Sequence, residues 1–134
     1  MGLLGVAMLS TASAVHVYWA RGGQRGSAAA VPEVHGKPVF TPGAAATFTV
    51  AGALAIAALT TLIAVLQSGA EHRANWPRLG SAVLALVFGA RAVGNFRTVG
   101  FSKKLKGTRF ATLDTYVYSP ICAVIAGCCA AAAK

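Results

Sequence analysis

Long apolar stretches broken by short polar ones dominate this chain. Asp, Glu, Lys and Arg are absent from Met1 to Ala20, from Pro38 to Ala70 and from Thr115 to Ala133, and Leu79 to Phe96 is interrupted only by Arg91. About 20 apolar residues, each rising 1.5 Å along a helix, cross a hydrocarbon layer of about 30 Å. The pattern therefore predicts an all-α, polytopic membrane protein, a four-transmembrane-helix bundle. It forms a single domain over residues 1–134, with helices near 2–20, 44–68, 79–98 and 111–132.

The start of the fourth helix follows from length. Ser119-Pro120 has the form of a cap and first turn, but from there to Ala133 only about fourteen residues remain, too few to span. The helix must begin near Phe110 or Ala111. Pro120 is then an interior proline that cannot donate to the Tyr116 carbonyl and kinks the helix. Spacings of four and three place Asp114, Tyr118, Cys122, Ile125 and Cys129 on one face, with Asp114 in the first turn, where the helix dipole suits a carboxylate.

In the third helix, Arg91 precedes the expected end by about seven residues, roughly 10 Å at 1.5 Å per residue. An arginine at a helix centre costs about 2.5–3.5 kcal/mol to insert, less where it snorkels to the interface. Asn95 lies four residues further on with Gly94 between them in angle, so one face combines polar groups with room for close approach and should point into the bundle. The second helix reads as scaffold. Ala51, Ala55 and Ala58 permit close packing, and Thr41-Pro42 is a start signal with threonine capping and proline in the first turn.

Composition agrees with the pattern: 56% of the 134 residues are hydrophobic and 11% charged, against roughly 25% charged in soluble domains. A net charge of +9 would suit nucleic acid. In a membrane protein it is explained by cytoplasmic loops collecting Lys and Arg, so no nucleic-acid partner is expected. Four helices put both termini on one side with Arg73, Arg78 and Lys134. The other side carries Arg21, Arg25 and Lys37 in the first loop and Arg97, Lys103, Lys104, Lys106 and Arg109 in the third. The expectation is a cell-membrane, multi-pass protein with both termini outside and the first and third loops cytoplasmic.

Candidate chemistry is sparse. Ala12-Ser13-Ala14 has the form of a signal-peptidase site, but no positive charge precedes the apolar core. The run continues past His16 to Tyr18-Trp19, as an uncleaved span with an aromatic belt would. The first loop, Arg21 to Gly43, is flexible at Gly22, Gly23 and Gly26 and stiffened by Pro32, Pro38 and Pro42. It is long enough to cover the space between helix ends. Trp76 reads as an interfacial anchor, while His35, Glu71 and His72 lack metal-ligand spacing. Cys122, Cys128 and Cys129 form no CxxC and read as packing residues. Phosphate-loop, zinc-protease and nucleophile-elbow motifs are missing, so no catalytic residue, metal or cofactor is expected.

Four blocks carry a resemblance: HVYWARGG at 16–23, AVPEVHGKPVFTPG at 30–43, FRTVGFSK at 96–103 and FATLDTYVYSPIC at 110–122. Together they resemble a family of small bacterial membrane proteins catalogued as a domain of unknown function. The resemblance implies a four-helix integral membrane protein and supplies no activity.

Chain direction puts His16, Arg91, Asn95, Asp114 and Tyr118 in one leaflet, with Arg97 close by. Intramembrane ionisable groups are functional candidates by default, and Arg91 with Asp114 is the obvious pair. The leading expectation is a polar pocket at the cytoplasmic side that binds a small anion, small molecule or anionic lipid headgroup. Arg91 and Arg97 would hold the anion, Asp114 would orient Arg91, and His16 and Tyr118 would add hydrogen bonds. The alternatives are a membrane-embedded enzyme using His16 or Asp114 as acid or base, a soft-metal transporter using the helix-four cysteines, and a structural or accessory subunit. The bilayer itself is a partner, and a modest bundle leaves room for homo-oligomerisation.

Overall fold

The computed structural model describes residues 1–34, 37–70 and 74–134; His35, Glu71, His72 and Arg73 of the sequence argument lie outside them. The described residues form four helices: α1 Gly2–Ala20, α2 Ala44–Leu66, α3 Asn75–Val93 and α4 Arg109–Ala132. α1 packs along α2, α2 against α3, α3 along α4, and α4 closes the ring against α1. Among the described residues, α1, α2 and α4 are long and apolar enough to cross a membrane. α3, 19 residues with Arg78 and Arg91, is less apolar and falls outside that set.

Small residues set the helix contacts. Leu9, Ala57, Ala58, Ile125 and Cys129 make the central cluster, with Met8, Leu54, Leu84 and Phe88 packed around it. Ala51 and Ala58 are buried against neighbours, whereas Ala55 is exposed. Ser13 Oγ donates to the Ala51 carbonyl across the α1–α2 seam at 2.8 Å. Cys128 and Cys129 are fully buried; a Cβ on Gly5 would lie 2.7 Å from Cys128 Cβ. Gly5→Ala should therefore push α1 from α4 and cost about 1–3 kcal/mol, the usual range for overpacking, in a thermal melt. Outward, Leu79, Leu86, Ile56 and Leu59 are more than half exposed, as lipid-facing side chains of a bundle are.

Both limits of α3 differ from the sequence expectation, while the end of α2 at Leu66 and the start of α4 at Arg109 each come two residues early. α3 begins at Asn75 because Pro77 sits within its first turn, where a missing N–H is tolerated. It ends at Val93, not 98, because Gly94 takes φ 94°, ψ −172° and leaves the helical region. α2 starts at Ala44 with Gly43 as its cap, so Thr41-Pro42 lies just before the helix instead of capping it. α4 starts at Arg109, with Thr108 Oγ1 accepting the Ala111 N–H at 3.0 Å. Upstream of Pro120 it contains a π-helical turn, Asp114–Tyr118, in which the Ser119 N–H reaches the Asp114 carbonyl. One extra residue in the turn absorbs the bond that proline breaks. It also moves Ser119 onto the fully buried face below Asp114.

The first loop folds over the ends of α1 and α2 as a 3-10 turn, Ala28–Ala30, and a short antiparallel pair, β1 Glu33–Val34 and β2 Lys37–Pro38, with Glu33 opposite Pro38. Beneath it lies a cleft of about 890 Å³, walled by His16, Trp19, Phe40 and Val50.

Candidate functional site

Asp114 is the centre of the site. It projects from the first turns of α4, is wholly shielded from solvent, and has both carboxylate oxygens engaged. Arg91 Nη2 donates to Oδ1 at 2.8 Å; the Gly100 N–H donates to Oδ2 at 2.7 Å, and Lys103 Nζ to the same oxygen at 3.0 Å. Lys103 spends its other two protons on the Gly100 carbonyl at 3.0 Å and Thr115 Oγ1 at 2.6 Å, so its ammonium is fully satisfied although its side chain is 2% exposed.

The loop after α3 is built to deliver these groups. Asn95 Oδ1 accepts the N–H groups of Arg97, Thr98 and Val99, and its Nδ2 donates to Thr98 Oγ1. The chain then returns, and the N–H groups of Gly94, Phe101 and Ser102 satisfy the carbonyls of Ala90, Ala92 and Val93 at the end of α3. That return brings Gly100 and Lys103 onto Asp114.

Of the residues singled out from sequence, the structure joins two directly: Arg91 and Asp114. Because α3 stops at Val93, Arg91 stands in its last turn and not several residues deeper, a position that also suits a cation at the negative end of the helix dipole. Asn95 is off the helix and organises the loop instead of sharing a face with Arg91. Arg97 joins the network through its backbone, and its side chain is exposed. Tyr118 turns toward the first loop, where its hydroxyl donates to the Ala29 carbonyl at 3.2 Å and its ring lies 6.1 Å from Phe110. His16 stands in the cleft wall, its Nδ1 2.8 Å from the Ala12 carbonyl and its ring edge-on to Trp19.

Lys103 was missed by the sequence reasoning, which counted it with the loop charges. One signal was present: the block FRTVGFSK ends on it. No group of three or more His, Cys, Asp or Glu side chains suited to a metal occurs among the described residues.

The arrangement holds two cations against one carboxylate, leaving one positive charge. Arg91 Nη1 is buried with no partner among the described residues, while the Arg91 side chain as a whole is 34% exposed. Three apolar helices of spanning length, one of which buries Asp114 in its first turns, define a helical integral membrane protein. Residues 9–129 match the family described as "Protein of unknown function (DUF3995)", and the chain belongs to that family. No curated protein matches it, and no solved structure does.

Proposed function

We propose that this membrane protein binds a small anion, or the phosphate of an anionic lipid headgroup, at Arg91 on the loop end of the bundle. The excess positive charge of the Arg91–Asp114–Lys103 cluster carries the reading. Asp114 neutralises one cation, and Lys103 has no donor left, so the remaining charge resides on Arg91, the one partly exposed member, whose buried Nη1 has no partner among the described residues. Arginine presents a planar fork suited to phosphate oxygens. On the topology expected from the basic loops, this end faces the cytoplasm. Arg97, Lys104 and Lys106 in the same loop would then concentrate anionic lipid, at about 1 kcal/mol per basic residue near the surface.

A second reading has its own observation. Both oxygens of Asp114 are engaged by protein donors, as in a clasp that simply pins the third loop to α4.

Native mass spectrometry from mild detergent with added phosphatidylglycerol separates the two. Arg91→Ala leaves Asp114 paired with Lys103 and Gly100, so the variant is expected to fold. Under the binding reading it loses at least tenfold of the lipid affinity, about 1.4 kcal/mol. Equal lipid occupancy in wild type and variant, with only the melting temperature lowered, leaves the clasp as the function of the cluster.

A further inference from the structure

The cleft under the first loop has the opposite electrostatic character to Arg91. No Lys or Arg lines it among the described residues, in a chain of net charge +9. Glu33, one of only three acidic residues in the sequence, lines it and makes no ion pair among the described residues. His16 is in a fixed protonation pattern when neutral. The Ala12 carbonyl can only accept, so Nδ1 carries the proton and Nε2 keeps its lone pair as the ring's remaining polar atom. Trp19 has its indole N–H committed to the Arg25 carbonyl at 2.8 Å, which leaves its ring faces as its contribution to a ligand.

A carboxylate, an acceptor nitrogen and an indole face suit a cation, through charge, hydrogen bonding and cation–π attraction. The rest of the wall is mostly apolar, with Phe40, Val31 and Val50 among it, and the volume of about 890 Å³ falls within the roughly 300–1,000 Å³ typical of small-molecule sites. We infer that the first-loop cleft is a binding site for a cationic amphiphile, an ammonium head with an apolar chain. The head lies between Glu33 and Trp19, and the chain runs along Phe40 and Val50 at the start of α2. This site is independent of the anion site proposed at Arg91, and its ligand has the opposite charge.

The test uses the full chain in phosphatidylcholine nanodiscs with Trp76→Phe, so that Trp19 is the fluorophore. The probes are 10-bromodecylammonium and 10-bromodecanoate, the same quenching chain with opposite heads. The protein's net charge favours the carboxylate non-specifically, so a preference for the ammonium must come from the cleft. Saturable quenching by the ammonium, at least tenfold tighter than by the carboxylate and weakened about tenfold by Glu33→Gln, is expected, with Arg91→Ala leaving it unchanged. Equal quenching by both probes, measured on the Glu33 protein, overturns the inference without any dependence on how a Glu33 variant folds. Ammonium affinity unaltered in Glu33→Gln overturns it as well.

Discussion

Asp114→Ala should destabilise this protein more than any other single side-chain truncation in the bundle, by about 3–5 kcal/mol. The aspartate is entirely shielded and neutralises Lys103, itself 2% exposed at its side chain. Removing it leaves that ammonium buried with two neutral acceptors and no counter-charge, and it orphans the Gly100 N–H and Arg91 Nη2. Arg91, one-third exposed, can turn toward the interface; Lys103 has to pull its loop out with it. A dodecyl sulfate unfolding titration measures the loss. Lys103→Met in the Asp114→Ala background should recover part of it, since the double change exchanges an unpaired charge for apolar volume. If the double variant is no better than the single one, the cost of Asp114→Ala arises from the cavity and not from Lys103.

How much of this was legible in the sequence depended on the range of the interaction involved. Membrane spans are set by local apolar length, so three charge-free runs and one broken only by Arg91 yielded the four helices, and α1 is found at the limits expected for it. The Arg91–Asp114 pair was legible because intramembrane charge is expensive and each was the other's only counterpart at that depth. Lys103 was not, because a lysine in a basic loop looks like every other until the loop's path is known. That path depends on Gly94, Asn95 and Gly100, whose roles are conformational and leave no hydrophobic period. The same loop explains the error in the end of α3. Gly94 to Phe96 adds no charge to the run, and hydropathy alone cannot see a backbone that has left the helical region. The cleft is another product of backbone path. Three prolines marked its loop as stiff, but nothing local indicated that Glu33 and His16 would share a wall.

Gly94→Ala is the second large effect expected, and it tests whether that backbone path holds the charge cluster together. Gly94 at φ 94°, ψ −172° occupies a region open almost solely to glycine, which costs other residues about 1–3 kcal/mol. A Cβ there would also overlap the Val99 carbonyl oxygen and crowd Gly100 Cα at 2.6 Å. Both neighbours are backbone and have no rotamer to yield, so about 1–3 kcal/mol of overpacking adds to the strain. Gly107 is the internal comparison: it also has positive φ, 87°, but a Cβ there meets nothing within 4 Å. Gly107→Ala should cost only the conformational share, about 1–2 kcal/mol. The two variants should differ in kind as well as in size. Gly94 and Gly100 abut where the loop turns back, and Gly100 is the donor to Asp114 Oδ2, so forcing them apart lengthens that bond and releases Lys103. Amide exchange at Gly100 should therefore quicken by tenfold or more in Gly94→Ala and stay at the wild-type rate in Gly107→Ala. An unaltered Gly100 rate in Gly94→Ala would mean that Arg91 and Lys103 hold Asp114 whatever course the loop takes, with the glycine pair serving only to end α3.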